Sequence, residues 1–170
     1  MTGEPSVPPS PPSQRPPRLR PTRPATLVVT GLAAAALAWL GISRWYFDIP
    51  ALPWLPALTV GALAAIEAVT AISTKARIDR KPGTAPVDPL AVARYAVLAK
   101  ASSLAGSIFA GVYGATLAWL VANRWNSHAN ADLPAAIAGL VTSLALIAAA
   151  LWLEHACRVP KRPEDEDKPE

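Results

Sequence analysis

The chain has 170 residues, of which 52% are hydrophobic and only 16% charged, with 16 Lys and Arg against 12 Asp and Glu and a formal net charge of +4. A soluble helical domain would carry a polar stripe on each helix, and the apolar stretches of this chain have none. The basic residues form no aromatic-interleaved stripe of the kind that binds nucleic acid, and the lone Cys157 excludes both an intramolecular disulfide and a cysteine metal cluster.

Residues 1–24 hold nine of the nineteen prolines. Proline fixes φ and removes a backbone donor, so this stretch predicts a disordered, cytoplasmic Pro/Arg-rich tail of polyproline-II character. Residues 24–43 then carry no charged side chain. They run into bulky Trp45, Tyr46 and Phe47 without a small-residue cleavage site, which predicts an uncleaved first span over about 26–47. A short connection with Asp48, Pro50 and Pro53 leads to a second helix over about 54–74, with Pro56 in its first turn, where proline is tolerated. Glu67 is the sole charge in residues 49–74.

The polar loop that follows, KARIDRKPGTAPVDP, contains a Pro-Gly turn step and closes on Asp88-Pro89, an N-cap followed by proline at the first helical position. The third helix is predicted over about 89–122. Pro134 reads as the opening of a fourth, over about 134–155, so no proline is expected inside any span. Residues 101–123 and 133–153 are free of charge, and 158–170 read as a charged, disordered cytoplasmic tail. About 20 residues at 1.5 Å each span a hydrocarbon core of roughly 30 Å, and each stretch is long enough. The predicted fold is all-α: an integral membrane four-helix bundle over residues 25–157, flanked by two disordered tails.

Thirteen of the sixteen basic residues lie before the first span, between the second and third, or after the fourth. Only Arg44 and Arg124 occupy the other two loops, and Lys100 sits at the inner end of the third helix. The positive-inside rule therefore places both termini and the middle loop in the cytoplasm, with the protein in the cytoplasmic membrane. Trp39, Trp45, Trp54, Trp119 and Trp125 gather toward the outer ends, where the amphipathic indole is favoured.

Lipid gives apolar helices no reason to associate, so small residues that admit close backbone approach must do so. The third helix repeats them every four positions: Ser102, Gly106, Ala110, Gly114 and Ala118, with Ser103, Ser107, Gly111 and Ala115 alongside. Shorter versions occur at Thr30, Ala34 and Ala38, at Gly61 and Ala65, and at Ala135, Gly139 and Ser143. These faces either pack the bundle internally or meet a second copy or another membrane protein. The lipid bilayer is the remaining expected partner, and nucleic acid is not expected.

Glu67 lies thirteen residues past Trp54, about 20 Å below the outer interface. An acid at that depth is costly unless paired or protonated. Lys100 is the predicted intramembrane partner, its long side chain reaching up from the inner interface. Glu67 then either docks the second and third helices or binds a proton or cation during transport. Glu154, His155 and Cys157 lie close in sequence but point to different sides of a helix, and His128 lies across the membrane from His155. No Walker loop, HExxH, GxSxG or dinucleotide fingerprint is present, so neither catalytic activity nor a metal or other cofactor is expected. Two functions stay open: a small accessory or scaffold protein, or a subunit of an oligomeric small-solute or proton-linked transporter using Glu67.

The segments LPWLPALTVGALAAIEA (52–68), VDPLAVARYAVLAKASSLAG (87–106) and ALWLEHACRVP (150–160) resemble a family of small actinobacterial membrane proteins that carry domain of unknown function 3180. The resemblance covers roughly residues 22–160. The family's recurring acid, Asp-Pro, Lys and Trp-Leu-Glu match Glu67, Asp88-Pro89, Lys100 and Trp152 to Glu154. It implies four spans and, because its members are often encoded beside folate-biosynthesis genes, a genomic context without an assigned activity.

Overall fold

The computed structural model describes residues 23–48, 51–78 and 89–157; Asp88 and both tails lie outside them. Four helices follow in order: α1 Pro24–Trp45, α2 Leu55–Ile78, α3 Pro89–Ala122 and α4 Ser127–Ala156, with a single 3₁₀ turn at Tyr46–Asp48. All four are long and apolar enough to cross a membrane. The architecture is the expected all-α bundle of four membrane-competent helices.

Pro24 starts α1 at its first turn, where a missing N–H costs nothing. The fourth helix departs from expectation: it begins at Ser127, and Pro134 lies inside it. The stronger start signal is Asn126, whose side-chain oxygen accepts from the backbone N–H of His128 at 3.0 Å. Proline opens helices because its missing donor is harmless there, but a capped turn upstream overrides it at the cost of one internal hydrogen bond. The α3–α4 link is correspondingly tight. Asn123 closes α3 by donating from its side chain to the Trp119 carbonyl at 2.9 Å, and Asn126 N–H donates back to the Asn123 carbonyl.

The helices pack in the order α1–α3–α4–α2. Of the three neighbouring pairs in this row, only α3 and α4 are also consecutive in sequence. Helices α3 and α4 form the centre, α1 leans on α3, and α2 leans on α4, while α2 and α3 meet only over a short stretch. Burial follows this order. Among the described residues α1 buries only Leu27, whereas α4 buries ten residues from Ala129 to Ala156.

Glycines set the closest approaches. A Cβ at Gly111 would collide with the Gly31 carbonyl and would also lie 3.1 Å from the Ala35 nitrogen, so backbone meets backbone between α1 and α3. On the neighbouring side of α3, a Cβ at Gly106 would come within 2.9 Å of Ile147 and 3.3 Å of the Ser143 carbonyl on α4. The Tyr113 ring lies flat over Gly139, and Gly61 sits against Thr142. Such contacts supply the dispersion energy that holds helices together where lipid is as apolar as leucine.

Candidate functional site

The expected small-residue face on α3 is divided by the packing. Ser102 and Gly106 are buried, Ala110 and Gly114 are half-buried, and Ala118 is exposed and takes no part. Gly114 lies beside Leu140 of α4 at ordinary van der Waals distance. The adjacent row turns to α1 through Ser107, whose carbonyl lies against Gly31, and through Gly111. On α1 it is Gly31 that makes the approach, on the same side as half-buried Ala34 and Ala38. On α2, Ala64 is buried, not Ala65.

At the end of the bundle where α3 turns into α4, Trp119, Leu120, Ala129 and Ala136 form a buried cluster with Ile42, Tyr46, Leu52 and Leu133 packed against it. Tyr46 stacks on Trp119 with ring centroids 4.3 Å apart and planes tilted by 43°. Trp119 is thus buried at this end, while Trp39, Trp45, Trp54 and Trp125 are exposed. A polar latch crosses this cluster. The Tyr46 hydroxyl donates to Asp132 Oδ2 at 2.8 Å, and the Leu52 N–H donates to Oδ1 at 3.1 Å. One carboxylate on α4 therefore holds both ends of the α1–α2 connection. Burial, with the acceptor bond and negative charge of Asp132, pushes the Tyr46 hydroxyl from 10.0 up to about 12. No local pattern of residues signals this pairing, since the partners are 86 residues apart.

The other carboxyl lies at the junction of α2, α3 and α4. Val60 and Ala64 of α2 pack with Leu146 of α4, and Ala71 packs with Ala99 of α3 and Leu153 of α4. The two helices run parallel in this register, which sets Glu67, between Ala64 and Ala71, at the level of the buried Ala149 and Ala150. It is 1% exposed. Ser102 of α3, itself buried, is the neighbouring hydroxyl. Neither carboxyl oxygen has a hydrogen-bond partner among the described residues.

The expected pair with Lys100 is not formed. At 3.6 residues per turn, Lys100 lies about 200° around the helix from Ser102, so the turn that brings Ser102 to Glu67 carries Lys100 away. Four other buried hydroxyls are satisfied within their own helices: Ser103 donates to the Lys100 carbonyl, Ser107 to Leu104, Thr116 to Val112 and Ser143 to Gly139, at 2.6–2.9 Å. Glu67 stands apart from them.

Below the junction, Val92, Tyr95 and Ala96 close over the Ala71–Ala99–Leu153–Cys157 cluster. Burial pushes the Cys157 thiol above its ordinary value. Cys157 is buried, Glu154 half-buried and His155 exposed, so these three diverge as helical spacing requires. Among the described residues no group of three His, Cys, Asp or Glu could hold a metal ion.

No curated protein and no solved structure matches this chain. A family profile does, over residues 27–161, from the first turns of α1 to just beyond α4. The chain belongs to the family described as Protein of unknown function (DUF3180).

Proposed function

We propose that this is a multi-pass protein of the cytoplasmic membrane, with both termini in the cytoplasm, acting as a small accessory or scaffold component without catalysis. The observation that carries this reading is the character of the interior. It is filled by alanine, glycine and leucine, and by hydroxyls bonded within their own helices. That is how a rigid, dry support is built. The outer helices of the row, α1 and α2, present Val29, Leu32, Leu37, Leu58, Ile66 and Val69 outward, apolar surface suited to lipid or another membrane protein.

Orientation rests on the thirteen-to-two distribution of basic residues. Cysteines introduced singly at residues 10, 126 and 165 in a Cys157→Ser background test it with a membrane-impermeant maleimide on intact cells. Only position 126 should label from outside. The accessory role is tested by photo-crosslinking residues placed at Leu37 and Leu58: a discrete protein adduct of constant mass is expected, and lipid adducts alone at both positions would count against it. A second reading, a subunit of a proton-linked transporter, draws on the unpartnered Glu67. Proton flux into proteoliposomes that is abolished by Glu67→Gln would favour it over the first.

A further inference from the structure

Nothing in the packing of this chain requires a carboxyl at the three-helix junction. Ala64 and Ala71 lie one turn to either side of Glu67 on α2, the buried Ala149 and Ala150 lie at its level on α4, and Ser102 neighbours it on α3. An alanine would continue that pattern. The side chain is 1% exposed, yet both oxygens are without a hydrogen-bond partner among the described residues. An unpaired carboxylate at this depth costs at least a few kcal/mol, so the charged form is not at home there.

No charged group faces it from the packed elements. On α2, Lys75 is two turns further along. On α3, Arg94 and Tyr95 are more than a turn and a half away, and Lys100 is on another face. On α4, Glu154 and His155 fall between Leu153 and Cys157 of the apolar cluster, Glu154 half-buried and His155 exposed on other faces of the helix, and Cys157 belongs to the cluster. A proton is the one ligand that neutralises the carboxyl without needing a cavity. Ser102 suits both forms: its hydroxyl oxygen can accept from the acid, and its O–H can donate to the carboxylate.

We propose that Glu67 and Ser102 form a proton-binding site inside the membrane, and that release of the proton loosens the contact between α2 and α3. In that step the acid O–H bond breaks, the proton passes to bulk water, and the electron pair stays on the carboxylate. Water drawn to the new charge has a seam to enter, because α2 and α3 are held mainly by α4 and touch each other only briefly. The site goes beyond the accessory reading and does not depend on which partner the protein meets.

The experiment is labelling of the full chain in lipid nanodiscs with dicyclohexylcarbodiimide, an apolar reagent that adds to protonated carboxyls, followed by peptide mapping. A single intramembrane adduct on the α2 peptide is expected at Glu67. Its yield should fall about tenfold per pH unit above the midpoint, the slope of one titrating group. Ser102→Ala should shift that midpoint, and Glu67→Gln should remove the adduct. Because the adduct is located on the unaltered chain, the result stands even if a variant fails to fold. Absence of the adduct at every pH, or a yield independent of pH, would overturn the proposal.

Discussion

Two carboxyls tie this molecule together in opposite ways. Asp132, near the start of α4, accepts two hydrogen bonds, from Tyr46 and from Leu52, and joins the α1–α2 connection to α4. Glu67 at the three-helix junction is more deeply buried and accepts none among the described residues. The lesson is that burial of a charge-bearing group says little until its partners are counted. A satisfied carboxylate at a wet rim fixes a fold, whereas an orphaned one in a dry seam detracts from stability.

That contrast can be broken most forcefully at Asp132. Asp132→Ala removes the acceptor of two bonds, each worth about 1.5–3 kcal/mol when the acceptor is charged, and strands the Leu52 N–H. Thermal unfolding in nanodiscs should show a large drop in midpoint and early loss of Tyr46–Trp119 stacking. A Gly111→Ala change probes the non-polar alternative, the backbone approach of α1 to α3. Its Cβ would overlap the Gly31 carbonyl, and overpacking of this kind costs about 1–3 kcal/mol. Gly41→Ala is its control, since nothing lies within 4 Å of a Cβ there, and its midpoint should stay unchanged. Differential unfolding of the two variants decides whether close approach, more than helix propensity, holds α1.

Smaller effects come from the partner of Asp132. Tyr46→Phe loses one of the two hydrogen bonds to Asp132 while keeping the ring on Trp119, for a cost of about 1.5–3 kcal/mol. The same bond gives a pH signature. Tyr46 is raised in the folded protein from 10.0 to about 12, so its contribution is complete below pH 10 and is lost as the pH climbs toward 12. Tryptophan fluorescence should be quenched across that interval as the phenolate forms beside Trp119. Tyr46→Phe should lack this component.

Much of the architecture was legible in the residues. Charge-free stretches separated by polar loops marked the four helices, because spanning length and composition are local properties. The Ser102–Gly106 and Ser107–Gly111 rows marked α3 as a helix that others approach closely. The order α1–α3–α4–α2 was hidden, since helices apolar all round carry no stripe to say which side faces which neighbour. Pro134 was misleading because a proline inside a helix and one that opens it look alike until the Asn126 cap is seen. Glu67 stood out as the sole acid in its stretch, but its pairing with Lys100 failed on rotation about the α3 axis, which depth alone does not reveal. The Tyr46–Asp132 bond escaped notice because a long-range contact between the 3₁₀ turn after α1 and the second turn of α4 leaves no periodic trace.

The last of the expected changes is the most telling, because its sign is reversed. Glu67→Met keeps the volume and removes two unpartnered oxygens, which should stabilise the protein by about 1 kcal/mol or more. Set beside Asp132→Ala under identical conditions in lipid nanodiscs, its thermal midpoint should rise while the other falls. A fall at both positions would contradict the account, because it would mean that Glu67 is held by partners as Asp132 is.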